Sequence, residues 1–362
     1  MDVNAFCTQS SVLVVAGKGG VGKSTVSAAL ATLAARNGLS VLLVELEERR
    51  GPRTAVGHHV LTRDGAELST GGTADVLSTG GTADQPPRSA PIRAWTLTPD
   101  DTLVEYLVDH RFSRAARRLA KSGMLDVVAT AIPGVRNILV LGKIVNLEQA
   151  AAADLIVVDG PAAGHATTFL TSAQGLLDST RSGPIRTLAT DVVGLLTDPA
   201  RCQVVLVTLA EETPVNETVE TAFNLEDRVG THLGPVIVND LYPRLDDLDA
   251  DPQDAAAAAG VILRPGEADA MRAAAAFRRR REEMQAEQAT RLADALPLPQ
   301  LWLPHLFAGE IGLPEIDRLV DALETGLLYL REPAGRTGWT GQEPAPGNRV
   351  HGLAAAGTGS RS

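Results

Sequence analysis

Cysteine, aromatic side chains and long apolar runs are all scarce in this chain of 362 residues. Its two cysteines, Cys7 and Cys202, are too few and too far apart for a disulfide framework or a zinc cluster, as is typical of a protein from a reducing compartment. No run approaches the ~18 consecutive apolar residues of a membrane-spanning helix. The first residues also lack the basic charge of a secretory signal. We therefore expect a cytoplasmic protein.

Basic residues are outnumbered by acidic ones, 33 to 44, which gives a net charge of −11. A protein with this balance has no broad electrostatic attraction for a polyanion, so we expect no nucleic acid partner. The remaining composition, with 44% hydrophobic and 21% charged residues, is that of a globular protein. The length suits one large α/β domain or two ordinary ones.

Short apolar runs rich in β-branched residues alternate with helical patterns along residues 10–330. The first run is followed by a glycine-rich turn, an Ala/Leu-rich stretch to Arg36 and a second run, which together predict one right-handed βαβ unit. The alternation predicts an α/β fold with a doubly wound, mostly parallel sheet. The predicted strands are 11–16, 40–46, 155–158, 204–209 and 236–238, and a long helix is predicted over 267–296.

Three segments differ from this α/β pattern. Residues 64–90 contain the heptapeptide STGGTAD twice, which we interpret as a flexible duplicated insert. Residues 100–148 have mostly helical periodicity and are predicted to form a helical subdomain inserted into the α/β core. Residues 333–362 are rich in Gly, Pro, Thr and Ser and poor in apolar residues, which predicts a disordered tail.

A glycine-rich motif lies between the first predicted strand and the helix that follows it. Residues 17–25 have the sequence GKGGVGKST, which matches the phosphate-loop pattern G-x-x-x-x-G-K-[ST] in its required context. Glycines let the backbone bend around a polyphosphate and direct its N–H groups at it. Lys23 is expected to contact the β- and γ-phosphates of a nucleotide, and Ser24 to bind Mg²⁺. The predicted nucleotide-binding residues here are Gly17, Lys18, Gly19, Gly20, Val21, Gly22, Lys23, Ser24 and Thr25.

Lys18 gives the loop the deviant form K-G-G-x-G-K-[ST]. This form resembles the signature of the family that contains the ParA and MinD partition ATPases, nitrogenase iron protein and the arsenical pump-driving ATPase. In that family the extra lysine reaches the phosphates of a neighbouring subunit, where an ammonium group can stabilise the transferred phosphoryl group. The resemblance implies ATP and Mg²⁺ as ligands, catalytic roles for Lys18 and Lys23, and hydrolysis that needs a dimer.

An apolar strand with a terminal carboxylate is predicted at residues 155–159, LIVVD, as in a Walker B element. With the following GPAAGH, it resembles the D-T-A-P-T-G-H switch II of arsenical-pump and tail-anchored-protein-targeting ATPases, although Gly160 replaces a threonine. The resemblance implies that Asp159 binds Mg²⁺ and takes part in catalysis; a carboxylate at a strand end can also be a helix cap. The implied switch II residues are Gly160, Pro161, Gly164 and His165.

A second switch is implied just after the second predicted strand, where residues 44–51 have the sequence VELEERRG. The resemblance places Glu47 where the family has an aspartate that positions the attacking water, and so makes Glu47 a catalytic and Mg²⁺-binding candidate. Glutamate is one methylene longer, and a displacement of about an ångström can cost roughly a hundredfold in rate. We therefore expect slow or partner-dependent hydrolysis. Glu45 is the alternative for this role, and both residues could also be solvated loop charges.

Two further segments imply a site for the nucleobase. Asn239 follows the predicted strand 236–238, and its amide can both donate to and accept from an adenine edge, although asparagine is also a common turn residue. Pro304 lies in the sequence LPHL, which resembles the proline-containing loop that closes over the base.

A basic run at 278–281 fits a solvated helix face, or alternatively a docking site for an acidic partner or a membrane surface.

The resemblance covers residues 10–330 and is nearest to the paired actinobacterial anion-transporting ATPases. It implies a homodimer, or a heterodimer with a related ATPase subunit, and a membrane protein as a further partner, with the protein cytoplasmic or peripheral to the membrane. The relatives' thiolate site for metalloids and methionine-rich groove for clients have no counterpart in a chain with two cysteines and four methionines.

The leading hypothesis is an ATP phosphohydrolase whose reaction drives a conformational switch of a dimer, coupled to transport or targeting of an unknown cargo. A second hypothesis is a nucleotide-binding regulatory subunit of a hetero-oligomeric pair, with little activity of its own. A third is a positioning ATPase similar to ParA and MinD, which the net charge of −11 disfavours.

Overall fold

The computed structural model describes residues 2–46, 75–77, 90, 92–99, 102 and 134–330, with the backbone alone at 75–77 and 162–166. Eight strands in this part of the chain form a single sheet, in the order β3-β4-β2-β5-β1-β6-β7-β8. The pair β3–β4 is antiparallel and every other neighbouring pair is parallel. The strands are β1 Val12–Gly17, β2 Val41–Leu46, β3 Asp75–Leu77, β4 Ile92–Leu97, β5 Leu155–Ala162, β6 Cys202–Leu209, β7 Val236–Leu241 and β8 Gln300–Pro304.

Helices cover both faces of the sheet, so the predicted doubly wound, mostly parallel α/β fold is confirmed. The long predicted helix at 267–296 is confirmed as α8. The helices are α1 Val3–Thr8, α2 Lys23–Arg36, α3 Val135–Gln149, α4 Ala163–Ser179, α5 Pro184–Thr197, α6 Glu212–Val229, α7 Pro252–Ala258, α8 Glu267–Ala295 and α9 Leu313–Tyr329.

The central strand β1 explains why the sheet needs two layers of helices. All six of its residues are buried. Successive side chains of a strand point to opposite faces, and Val12 and Val14 belong to the core beneath α3, α4, α5 and α6, whereas Leu13 and Val15 belong to the core beneath α1, α2 and α9. The near-continuous apolar run in the sequence is the consequence of burial on both faces.

The sheet order places a ligand crevice at the carboxyl end of β1. The chain leaves β1 through α2 and returns as β2 on one side, while β6, β7 and β8 lie on the other side. In open α/β sheets, ligands bind outside the carboxyl ends of the strands where the strand order reverses. The strand ends that carry Gly17, Asp159, Asn239 and Pro304 all lie at this edge.

The three segments that differ from the α/β pattern lie largely outside the described residues. Within the duplicated segment, Asp75–Leu77 forms the short edge strand β3, which the sequence pattern does not predict. The end of the predicted helical block forms α3, whose Ile138, Leu141 and Ile144 are fully buried in the core. Residues 103–133 of that block and the predicted disordered tail 333–362 are outside the described ranges, so those predictions stand as predictions.

Both cysteines are buried free thiols, one in α1 and the other in β6. Burial raises the pKa of the Cys7 thiol and of the Cys202 thiol to about 12. Because the thiolate is the reactive form, these side chains behave as small apolar residues of the core.

No helix in the described ranges has both the length and the apolar content needed to cross a bilayer.

Candidate functional site

The loop between β1 and α2 needs glycine at positions where other chain segments approach closely. A Cβ on Gly17 would lie 2.2 Å from the Val207 carbonyl oxygen, and a Cβ on Gly22 would lie 2.4 Å from Asn239 Nδ2. Gly22 also has a φ of 88°, in the left-handed region that glycine adopts without strain. The loop can therefore turn tightly against β6 and β7 and start α2 directly at the sheet edge.

The amino end of α2 is a suitable anion site because its own side chains do not cap it. Gly22 is the N-cap residue, no side chain caps the helix, and the first turn contains no acidic residue. The first N–H groups of a helix lack partners within the helix and carry a partial positive charge. A phosphate group at this position would accept hydrogen bonds from these N–H groups and would be attracted by the partial positive charge.

Lys23 and Asp159 bring opposite charges to this helix end in a partly buried setting. The Lys23 ammonium donates to the Lys18 carbonyl over 3.1 Å. Desolvation lowers the pKa of Lys23, opposed by the nearby Asp159 carboxylate. Desolvation also raises the pKa of Asp159, opposed by the Ser24 hydroxyl, Lys23 and the Ser27 hydroxyl. Burial therefore raises the free energy of the charged form of each side chain. A bound ion of opposite sign would offset this cost.

Asp159 and Ser24 form a donor set that fits Mg²⁺. The Ser24 hydroxyl donates to Asp159 Oδ2 over 2.6 Å, and the Ser27 hydroxyl donates to Asp159 Oδ1 over 3.2 Å. Hydroxyl and carboxylate oxygens are the hard ligands that Mg²⁺ prefers, together with phosphate oxygens. Asp159 lies within β5 and faces α2, so its side chain is not the cap of the helix that follows β5.

A second carboxylate lies beside Asp159. Glu45, near the end of β2, is the register partner of Asp159 in the parallel pair β2–β5, and it is only 3% exposed. The structure therefore places Glu45, one of the two glutamates considered for the first switch, beside Asp159 at the phosphate end of the site. Glu47 lies outside the described residues.

The continuation of β5 gives a physical reason for one departure from the switch II pattern. A Cβ on Gly160 would lie 2.4 Å from the Val15 carbonyl oxygen of β1. A threonine cannot occupy this position unless β5 and β1 move apart. Pro161 remains in the extended strand, while Gly164 and His165 lie in the first turn of α4, among the residues described by backbone alone.

An open pocket adjoins the phosphate loop on the side of β7 and β8. Its lining includes Thr25, Asn239, Asp240, Pro304, His305 and Phe307. Asn239 Nδ2 donates to the Val21 carbonyl over 2.9 Å, so one amide hydrogen of this side chain holds the phosphate loop. The structure thus brings Asn239 and Pro304 together beside Thr25, at a suitable place for a group attached to the phosphates.

Comparison with known proteins agrees with this geometry. The model described as the CobQ/CobB/MinD/ParA nucleotide-binding domain matches residues 12–154, which include the phosphate loop. The ATPase BagA of Mycobacterium tuberculosis is 32% identical over 264 residues, which are 71% of this chain and 70% of the relative. The Mycobacterium bovis protein Mb3704, provisionally named as an ATPase, has the same identity and coverage. The chain belongs to this family of P-loop ATPases.

Lys18, the first lysine of the phosphate loop in this ATPase, is paired within its own chain. Lys18 Nζ lies 2.6 Å from Oε1 of Glu217, on α6, and both side chains are about two-fifths exposed. An ion pair this exposed contributes at most about 1 kcal/mol. The pair therefore holds Lys18 beside its own chain weakly enough to exchange for another anion.

The basic run at 278–281 is largely paired inside this ATPase. Arg278 is 9% exposed and bonds to Glu282 and to the Pro243 carbonyl. Arg279 bonds to Asp249, and Arg281 donates to Glu211 over 2.8 Å. These contacts favour a structural role for the run over a docking site.

Several side chains at the site were not singled out from the sequence, and they include Ser27, Glu217, Asp240, His305 and Phe307. Of these, His305 could have been found from the sequence, because it directly follows Pro304 in the LPHL segment. Glu217 meets Lys18 from 199 positions away, and no local spacing indicates such a pair.

The raised pKa of Asp159 predicts that this side chain costs stability when no ligand is present. Folding favours the protonated Asp159 carboxyl group. The stability that protonation contributes is fully present below the unfolded pKa of 3.8 and is lost as the pH rises through the higher pKa of the folded protein. At pH 7 and without nucleotide, Asp159→Asn should therefore raise the melting temperature by a few degrees. In the same experiment it should remove the further increase that Mg-ATP gives the parent protein.

Asp154→Asn is a matched control with the opposite sign. Hydrogen bonds from the Ser40 hydroxyl and backbone N–H lower the pKa of Asp154, so its carboxylate contributes stability above the unfolded value and loses it as the pH falls through the folded value. This variant should not be stabilised at pH 7 and should keep the response to Mg-ATP. An Asp159→Asn protein that melts lower than the parent at pH 7 would contradict the account.

Proposed function

We propose that this protein is a Mg²⁺-dependent ATPase in which hydrolysis drives a conformational switch of a dimer, coupled to the transport or targeting of a cargo. The observation that carries the proposal is the 2.6 Å contact between Ser24 and Asp159, beside Lys23 and the uncapped start of α2. Membership of a family of ATPases supports the hydrolytic activity. The switch, the dimer and the cargo rest on the resemblance to arsenical-pump and tail-anchored-protein-targeting ATPases.

The described residues divide the binding of ATP among them. The start of α2 and Lys23 bind the β- and γ-phosphates, and the pocket at Asn239 and Pro304 takes the base. Ser24 and Asp159 hold Mg²⁺, which when bound neutralises charge on the phosphates. The water that attacks the γ-phosphate is oriented by a carboxylate at the end of β2, for which Glu45 and Glu47 are both candidates.

The proposed dimer gives Lys18 its catalytic role. Lys18 would leave Glu217 and reach the phosphates of the partner subunit, where its ammonium group stabilises the developing negative charge. The partner is a second copy or a related ATPase subunit. We further propose a cytoplasmic protein, free or peripheral to the membrane through a membrane protein partner, and without a nucleic acid partner.

A regulatory subunit with little activity of its own is the second candidate. The Lys18–Glu217 pair favours it, because Glu217 competes with a partner's phosphates for Lys18. A ParA-like or MinD-like positioning role is weaker, since the net charge of −11 opposes binding to nucleic acid or to an anionic membrane. Full turnover by the protein alone would contradict the regulatory proposal.

Removing the Lys23 ammonium tests the proposed ATPase site. Lys23→Ala should lower Mg²⁺-dependent ATP turnover by at least about a hundredfold, because the group that contacts the transferred phosphate is lost. Turnover is measured as phosphate release at saturating ATP. Lys143→Ala is the matched control, because Lys143 lies over the Trp95 ring, away from the phosphate loop, and this variant should keep the parent rate. Equal rates for Lys23→Ala and the parent would refute the site.

Weakening the Lys18–Glu217 pair tests the proposed role of Lys18. Glu217→Gln removes the anion that holds Lys18, so ATP-dependent dimer formation and turnover should rise by up to about fivefold, the equivalent of an exposed ion pair. Dimer formation is followed by light scattering with a slowly hydrolysed ATP analogue.

Two further variants make this test specific. Glu220→Gln, on an exposed position of the same helix, should behave as the parent. Lys18→Ala should lose turnover while still binding ATP. Parent turnover in Lys18→Ala would contradict a catalytic role for this lysine, whatever Glu217→Gln does.

A further inference from the structure

A buried glutamine on a mostly polar helix contacts the strand end that borders the base pocket. Only five of the 29 residues of α8 are buried, and Gln285, at 3% exposed, is one of them. Its Nε2 donates to the Asp240 carbonyl over 2.9 Å, and its Oε1 accepts from the Tyr242 backbone N–H over 2.9 Å. Both ends of the amide are therefore used to hold residues 240–242 as a neighbouring strand would.

The backbone that Gln285 holds is strained. Asp240 has a φ of 64°, in the left-handed region that residues with a Cβ rarely adopt. Such a conformation persists only where the surroundings impose it. Here the Gln285 amide bonds to the Asp240 carbonyl and to the Tyr242 N–H, and the Asp240 carboxylate lies 2.6 Å from His305 Nδ1. The His305 backbone N–H also donates to the Leu241 carbonyl over 2.7 Å.

Arg278, two turns earlier on α8, contacts the aromatic side chains beside the turn at Asp240. Its guanidinium group lies 4.5 Å from the centre of the Tyr242 ring and 5.3 Å from that of Phe307. Tyr242 in turn stacks on His305, with ring centres 4.8 Å apart. Helix α8 therefore determines where the aromatic side chains and the carboxylate of this pocket wall lie.

The wall supported by α8 lies next to the phosphate loop. Asp240, His305 and Phe307 line the pocket that also includes Thr25 and Asn239. A group linked to phosphates at the start of α2 has this wall within reach, and a purine base offers both a flat face for stacking and an edge for hydrogen bonds.

We infer that Gln285 is a positioning residue for the purine base of the nucleotide, acting through Asp240 and the His305 loop. The inference rests on the proposed function, because it requires the phosphates to bind at residues 17–25. Gln285 does not itself line the pocket. Its loss therefore affects how the base is held, and leaves the phosphate-binding groups unchanged.

The test compares a ligand that has a base with one that lacks it. ATP and inorganic tripolyphosphate carry the same chain of three phosphates, but only ATP contacts the pocket wall. For Gln285→Ala we expect the KM and Kd for ATP to rise by about tenfold, which corresponds to about 1.4 kcal/mol, with kcat within about twofold of the parent. The inhibition constant of tripolyphosphate should stay unchanged.

Two further variants separate hydrogen bonding from packing. Gln285→Met keeps a side chain of similar length without either hydrogen bond, so it should weaken ATP binding as much as Gln285→Ala, and it supplies the comparison if the alanine variant does not fold. Thr290→Ala is the matched control on the same helix, because among the described residues its hydroxyl donates to the Ala286 carbonyl of α8 itself. It should bind ATP as the parent does.

Three results would overturn the inference, and they are distinguishable. Parent affinity for ATP in Gln285→Met, or equal weakening of ATP and tripolyphosphate, would show that Gln285 acts only through packing or general stability, and would leave the proposed ATPase intact. A parent protein that binds neither ATP nor tripolyphosphate would overturn the proposed function and this inference together.

Discussion

The hydrogen bond between the Ser24 hydroxyl and the Asp159 carboxylate is the contact on which the proposed site depends. It joins the first turn of α2 to the end of β5, and these elements come from opposite ends of the first half of the chain. Desolvation disfavours the charged forms of Asp159 and of Lys23. In the proposed site, Mg²⁺ beside the carboxylate and phosphate beside the ammonium group would offset that cost and so couple ligand binding to stability.

The two ends of the proposed nucleotide site are held by different parts of the second half of the chain. At the phosphate end, Glu217 of α6 pairs with Lys18. At the base end, Gln285 of α8 holds the strained turn at Asp240. The helices α6 and α8 also contact each other directly, through Arg291 and Asn216. The two ends of the proposed site are thus connected to a pair of helices that contact each other.

The fold was predictable because burial on both faces leaves a clear trace in the sequence. The apolar run of β1 and the glycines before α2 each follow from local constraints. The phosphate-loop motif indicated Lys23 and Ser24, and the apolar strand with a terminal carboxylate indicated Asp159. Contacts between distant segments left no such trace. Gln285 lies in a helix of polar sequence, and its burial follows only from where α8 crosses the end of β7. The register of β2 with β5, which puts Glu45 beside Asp159, likewise needed the assembled sheet.

A crystal structure of the protein with Mg²⁺ and a slowly hydrolysed ATP analogue would test the central claim most directly. The account predicts a triphosphate at the start of α2, Mg²⁺ about 2.1 Å from Ser24 Oγ with Asp159 bound to it directly or through water, and the base against Asp240 and His305. A triphosphate bound elsewhere on the chain, or an intact Ser24–Asp159 hydrogen bond with no metal beside it, would contradict the account.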